Sequence, residues 1–390
     1  QEIFARGIFL RAFFDMKLII ACDSFKGCLG SVEVNEACRL GVADACPECE
    51  VDTIVLADGG EGTVDALAAN MPGGIRHCAT VCGPLSEPVA ASYYAMPASR
   101  TAIIETASAA GLTLVPPTKR NPMLTSTYGL GQLIADAVGR GYRNIIVGLG
   151  GSATNDGGTG MLQALGYRFV DGNGKDISDR GGQILSRIAR VDATGSLAGL
   201  DSVKFTALCD VVNPLLGTRG ATYVYGPQKG ADKTMLDVLE EGMNNFARMI
   251  PQKIVEAPGA GAAGGLGAEM MAFLEAQLRT GIDTILDLSD FDRRLRGASL
   301  VITGEGRLDA STMMGKAPSG VLRRAAAHNM PVIAIGGSVD DSVDFSAFKA
   351  VKSINPPNLP LATAIKPEVA ARNIRSTITA YLSAGRHRHS

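Results

Sequence analysis

KLIIACDSFKG, residues 17–27, is the stretch on which the fold turns. An apolar run of strand length meets a short polar loop that ends in glycine. A helical pattern then follows over Ser31–Ala45, with Ser31 placed to cap it and Glu33 in its first turn. A strand that is apolar at every position is buried on both faces, as in a parallel sheet. Parallel neighbours need crossover connections, usually helices. The same order recurs at once: residues 51–57 read as a strand, DGGEGT (58–63) as a loop, and a helix follows. It returns near the other end. There 299–303 leads into GEGR (304–307), a helix is expected over 319–328, 331–335 leads into GGS (336–338), and a last helix covers about 367–383.

The middle reads differently. Between about 76 and 105, short β-rich segments alternate with Gly and Pro, as in a strand meander. A helix is expected near 126–140, and a strand over 144–149 opens onto GGSATNDGG (150–158). Another strand, 204–209, ends at Asp210. A helix spans roughly 233–249, and PGAGAAGG (258–265) opens one more. Like ends around an unlike middle predict an α/β protein of two domains. One is built from residues 16–75 plus 281–385, and a second α/β domain, 76–280, is inserted into it. Residues 1–15 read as an appendage before a natural start at Met16.

Composition narrows the function classes. A formal net charge of −2 disfavours a nucleic-acid partner held by bulk charge. No run of 18 apolar residues occurs, so neither a membrane span nor a membrane partner is expected. The eight cysteines form no regular framework, and CPEC (46–49) has no second pair at zinc-site spacing. They read as reduced thiols of a cytoplasmic protein. Glycine is the outlier, at 47 of 390 residues against a usual ~7%. These glycines cluster between apolar runs, where they serve close packing or let backbone N–H groups reach an anion.

Four clusters carry the candidate chemistry. In DGGEGT, Gly59, Gly60 and Gly62 offer backbone N–H groups to a phosphate at a helix start, and Asp58 suits an accompanying divalent cation. In GGSATNDGG, four glycines (Gly150, Gly151, Gly157, Gly158) and four polar side chains (Ser152, Thr154, Asn155, Asp156) fill eight of nine positions. That suits a loop around a polyphosphate, with Asp156 as a Mg²⁺ ligand or proton acceptor. Glu305, Arg307 and Lys316 follow a strand and suit phosphate and carboxylate recognition. Ser24 and Lys26 follow the first strand, and Asp210 is a weaker candidate of the same kind. Each cluster also has a plainer reading as a tight turn, a capped loop or a solvated charge group.

Several familiar sites are missing from the sequence. There is no GxxxxGK[ST], no HRD with DFG and no GxSxG. Gly259, Gly261 and Gly264 match the dinucleotide string GxGxxG, but a lone match with Pro258 before it is weak. Only four histidines occur, two of them in the C-terminal tail. Carboxylates in glycine loops with few histidines favour phosphoryl transfer, where catalysis is mostly positioning and charge neutralisation.

Taken together, the motifs resemble the bacterial glycerate kinases. The resemblance runs over about residues 16–383. It is carried by IIACDSFKG (19–27), ADGGEGT (57–63), ETASAAGL (105–112), KRNPMLTSTYGLG (119–131), GLGGSATNDGGTGMLQALG (148–166), CDVVNPLLGTRGA (209–221), GPQKGA (226–231), PGAGAAGGLGA (258–268) and TGEGRLD (303–309). One departure is Cys22, where the family often has Pro. The resemblance implies transfer of the ATP γ-phosphate to D-glycerate with Mg²⁺, giving 2-phosphoglycerate rather than 3-phosphoglycerate. It also implies that the domain made of both chain ends is flavodoxin-like, with the active site in the cleft between the domains. On that reading Asp58, Asp156, Asp210 or Glu305 takes the hydroxyl proton, and Asp156 and Asp210 hold the metal. Arg307, then Lys26, binds the substrate carboxylate beside Ser24 and Lys316. The glycine loops, Gly261 and Gly264 included, hold ATP. The alternatives are glycerate 3-kinase activity on the same fold, a dinucleotide-dependent oxidoreductase using 259–264 and a non-catalytic metabolite sensor. Oligomeric state is left open.

Overall fold

The computed structural model describes residues 16–57, 62–71 and 73–387. In chain order its strands are β1 (Lys17–Cys22), β2 (Glu50–Thr53), β3 (Ile75–Cys82), β4 (Pro88–Met96), β5 (Thr101–Glu105), β6 (Asn144–Gly148), β7 (Arg168–Val170), β8 (Arg190–Asp192), β9 (Lys204–Leu208), β10 (Gln277–Arg279), β11 (Ala298–Leu308), β12 (Val332–Val339) and β13 (Ala350–Ser353). The described residues within 1–58, 65–71 and 282–390 form one unit, and those within 59–64 and 72–281 form another. The fold class is α/β, as the sequence predicts. The appendage, residues 1–15, lies outside the described residues.

The first unit holds a parallel sheet in the order β13-β12-β11-β1-β2. Leu18 to Cys22 are fully buried, which is why the apolar run carries no alternation. Helices cover the sheet. Ser31–Ala45 packs against Pro367–His387 so closely that a Cβ on Gly41 would lie 2.6 Å from the Arg375 carbonyl oxygen. Ile374 and Ile378 enter this core beside Val34 and Val42.

Several expectations are corrected here. Ser31 does not cap its helix: Gly30 is the N-cap residue, and the Ser31 hydroxyl donates to the Leu56 carbonyl at 2.7 Å. The strand expected over 51–57 pairs only over Glu50–Thr53. The strand expected to end at 303 runs on to Leu308, and its partner runs to Val339, because the two keep pairing through Glu305↔Gly336 and Arg307↔Ser338. Glycines permit that approach: a Cβ on Gly304 would sit 2.4 Å from the Ile335 carbonyl oxygen, and one on Gly337 2.6 Å from that of Gly306. Cys46 and Cys49 are joined as a disulfide, with Cα atoms 5.4 Å apart, instead of lying reduced.

The second unit holds a mixed sheet, β10-β9-β6-β5-β4-β3. The expected meander is its antiparallel edge, β3–β4–β5, and the remaining pairs are parallel. A small hairpin, β7–β8, stands apart from it. Helix Tyr128–Gly139 supplies Leu130, Leu133 and Ile134 to a core shared with Ile145, Val147, Met161 and Phe246.

Candidate active site

In an open parallel sheet, ligands bind outside the carboxyl ends of the strands, where the strand order reverses direction. In the first unit that point lies between β1 and β11. From β1 the chain moves to β2 on one side; from β11 it moves to β12 and β13 on the other. The pairing of β1 with β11 ends at Cys22 opposite Gly304, β11 running on beside β12, and Asp23 N–H donates to the Gly304 carbonyl at 2.9 Å. The next side chains are Asp23 and Glu305, both mostly buried.

Local bonds hold this pair. Asn35 accepts from Cys22 N–H (3.0 Å) and donates to the Ile54 carbonyl (2.9 Å), which fixes the end of β1. Asp23 Oδ1 accepts from Ser24 N–H at 2.6 Å. Glu305 Oε1 accepts from the Thr312 hydroxyl at 2.5 Å, and Lys316 Nζ lies 3.7 Å from Oε2. Burial pushes the Glu305 carboxyl above the usual range; Thr312 and Lys316 oppose this, while the charges of Asp23 and Asp309 add to it. Arg307 is exposed, with Nε 3.3 Å from Asp309 Oδ2. Ser24 is half-buried and Lys26 exposed. The structure therefore gathers Ser24, Glu305, Lys316 and Arg307 in one unit around the carboxyl ends of β1 and β11. It adds Asp23, which the sequence reading passed over although it opens the DSFKG loop.

The remaining candidates lie in the second unit, except for those outside the described residues: Asp58, Gly59 and Gly60. Gly62 is left-handed (φ 90°), and among the described residues nothing lies within 4 Å of an added Cβ. The loop 150–158 leaves the carboxyl end of β6. Gly150 and Gly151 reach its surface, while the residues from Ser152 to Gly158 are buried. Asp156 is fully enclosed. It accepts from Thr127 N–H (2.8 Å) and hydroxyl (2.9 Å) and from the N–H groups of Gly158 (3.1 Å) and Gly160 (3.4 Å). Burial raises its carboxyl, and these donors pull it back. Those bonds make Asp156 the organiser of the loop. Asn155 donates to the Thr222 hydroxyl at 3.2 Å.

Lys229 belongs to GPQKGA, a weaker candidate cluster to which the sequence alone assigns no particular role. It is 2% exposed and donates to Ser152 Oγ (3.0 Å) and the Thr154 carbonyl (2.6 Å). Gly261 and Gly264 pack against backbone. A Cβ on the first would meet the Pro214 carbonyl oxygen at 2.2 Å, and one on the second would meet that of Thr154 at 2.1 Å. Those contacts leave the GxGxxG string no open cradle for a pyrophosphate.

Asp210 is exposed at the carboxyl end of β9, and its Oδ1 accepts from Gly281 N–H at 2.9 Å. Just beyond it lies a cavity of about 610 Å³. Val212, Pro214, Leu216 and Val255 form apolar walls, and Arg219 and Glu256 are polar lining groups. Among the described residues no three His, Cys, Asp or Glu side chains form a metal cage. Mg²⁺ with a nucleotide uses only one or two carboxylates plus phosphate oxygens and water. Asp156, surrounded by N–H and O–H donors, does not fit that duty.

A parallel sheet with buried acids and nearby cations at its switch point is a framework suited to a group-transfer enzyme working on anions. The sequence model of the glycerate kinase family matches residues 18–384. A glycerate kinase of Bacillus cereus is 47% identical over 369 residues, covering 93% of this chain and 96% of that protein. The glycerate 2-kinase of Escherichia coli is 44% identical over 332 residues, covering 84% and 87%. A solved structure of a candidate glycerate kinase 2 from Salmonella typhimurium LT2 superposes with a TM-score of 0.85 at 40% identity, covering 96% of this chain and 99% of that one. The chain belongs to the glycerate kinase family.

Proposed function

We propose that the protein transfers the γ-phosphoryl group of ATP to the 2-hydroxyl of D-glycerate, giving 2-phosphoglycerate and ADP. The observation that carries this reading is the buried Glu305 at the switch point of the parallel sheet, flanked by Asp23, Lys316 and Arg307. Glu305 accepts the hydroxyl proton as the new O–P bond forms and the bond to ADP breaks. Its raised basicity suits that task, since an effective base has a pKa moved toward the working pH. Arg307, exposed and close to Glu305 in sequence, binds the substrate carboxylate. The 2-hydroxyl is one carbon from that carboxylate, so a clamp there favours it over the 3-hydroxyl. Lys316, Lys26 and Ser24 complete the anion contacts.

Gly62, Gly150 and Gly151 present backbone to the ATP phosphates, and Asp58, Gly59 and Gly60, which adjoin Gly62 in sequence, share that proposed duty. The cavity beyond Asp210 has the volume and apolar walls that a nucleoside requires. Asp23 or Asp210 would hold Mg²⁺, which when bound would supply charge neutralisation on the phosphates. No described helix is long and apolar enough to cross a membrane. A cytoplasmic location belongs to this reading because ATP is the phosphoryl donor.

The direct test is ADP release in a coupled assay. Turnover should need both ATP and D-glycerate, and no nicotinamide dinucleotide should bind by fluorescence. ADP release that ignores D-glycerate would sink the reading. Arg307→Ala should raise KM for glycerate by about tenfold or more, as expected when a charge-assisted contact is lost, while KM for ATP stays within a few-fold. The reverse pattern would move Arg307 to the nucleotide.

A further inference from the structure

Three fully buried ionisable groups grip the loop 150–158 along its length. Near its start, Lys229 Nζ donates to Ser152 Oγ and the Thr154 carbonyl. In its middle, Asp156 collects the donors of Thr127, Gly158 and Gly160. At its end stands Glu269, from helix Leu266–Phe273. It lies so close that a Cβ on Gly158 would be 1.9 Å from its Oε2. Glu269 is 0% exposed, and neither carboxyl oxygen has a hydrogen-bond partner. A carboxylate in such a place has neither water nor donors to hold its charge, so the neutral form is favoured. Asp156, by contrast, has the donors that an anion needs, and Lys229 is the buried cation beside it.

We propose that Lys229 and Glu269 are positioning residues for this loop: Lys229 balances the charge of Asp156, and Glu269 stands behind Gly158 as an uncharged acid. The loop then carries one anion and one cation within electrostatic reach of each other in an apolar setting, and its backbone is held from both ends. Burial pushes the Lys229 ammonium down to about 7, with Asp156 opposing. Burial pushes the Glu269 carboxyl well up, and the charge of Asp156 acts in the same direction. Of the groups packed around Glu269, Asp156 faces it from the loop and the Tyr167 phenol lies within electrostatic reach. Lys204 on β9 and Lys253 on helix Gln252–Val255 are exposed, Arg279 on β10 is half-buried, and none of the three contributes to the Glu269 shift.

The kinetic part rests on the loop's proposed duty toward ATP; the stability part does not. A carboxyl whose folded pKa is raised stabilises the fold below its unfolded value, and that contribution is lost as pH rises through the folded pKa. Gln does not titrate. Between pH 5 and 8 the Tm of Glu269→Gln should therefore gain on wild type by about 3 °C or more. A flat difference, or one of opposite sign, would show Glu269 to be a satisfied anion and would overturn the proposal. In kinetics, the alkaline limb of kcat/KM for ATP should move up by at least about one pH unit in Glu269→Gln, because ionisation beside Asp156 no longer displaces the loop. An unmoved limb would remove the positioning role of Glu269 and leave Lys229 as the group that sets the limb. For Lys229, Lys229→Met and Asp156→Asn should each lower Tm, and the double variant should lose less than the sum; additive losses would break the pair. Should glycerate turnover be missing while these Tm results hold, the proposed function fails and the charge arrangement stands.

Discussion

Glu305→Gln should lower kcat by about 10²–10⁴-fold, the range that general-base help commonly supplies, with KM for ATP nearly unchanged. Glu305 is mostly buried at the carboxyl end of β11, with one oxygen bonded to Thr312 and the other near Lys316. Gln keeps the shape and the Thr312 contact but cannot take a proton. Stability should move the other way. Because burial raises the Glu305 carboxyl, the folded wild type loses stability as pH climbs from the ordinary carboxylate range through the raised value, and the amide removes that loss. Lower activity with equal or higher Tm at neutral pH is the signature of a residue kept for chemistry. The wild-type acid limb of kcat should also lie above the usual Glu range, since a base must be ionised to act. If Glu305→Gln retains near-wild-type turnover, the base is another acid, and Asp23 or Asp210 takes precedence.

Gly264→Ala should lower Tm by roughly 5–15 °C. Gly264 has φ 70°, a left-handed conformation, and an added Cβ would meet the Thr154 carbonyl oxygen at 2.1 Å and Asn155 Cα at 2.6 Å. The left-handed conformation costs about 1–2 kcal/mol, and overpacking against backbone adds about 1–3 kcal/mol. In a unit of this size, each kcal/mol is worth about 2–4 °C. Gly217→Ala is the matched control: φ is 83°, but nothing lies within 4 Å of the added atom. Its Tm should fall only by the conformational part. Equal losses in the two variants, read by thermal unfolding, would mean that Gly264 packs against nothing important and would return the 259–264 string to a ligand.

Gly264 also shows where the sequence was legible and where it was not. Unbroken apolar runs announce doubly covered parallel strands, so β1 and β6 were readable, as was the helix over Ser31–Ala45. Glycine clusters carry two physical meanings that look alike in one dimension. In 304–307 and 336–338 they let two strands keep pairing, so the strands outran the expected loops. In 150–158 they turn a buried loop, with only Gly150 and Gly151 at the surface. Asp156 sat in a motif that suggested metal chemistry, yet its oxygens are occupied by the donors of Thr127, Gly158 and Gly160, and Thr127 is 29 positions away. Glu269 gave no signal, because one acid in a Met- and Ala-rich helix reads as its solvent face. Only the chain's return past Gly158 makes it a buried group. The switch-point pair was half visible: Glu305 stood out, whereas Asp23 acquires meaning only because β1 and β11, far apart in sequence, are neighbours.

The most direct test of the central claim is ³¹P NMR of the product formed from ATP and D-glycerate by the purified protein. The account predicts ADP together with a single new monoester resonance, that of 2-phosphoglycerate. The 3-phosphoglycerate resonance would contradict the proposed clamp on the carboxylate. No phosphoglycerate, with ATP intact, would contradict the proposed activity itself.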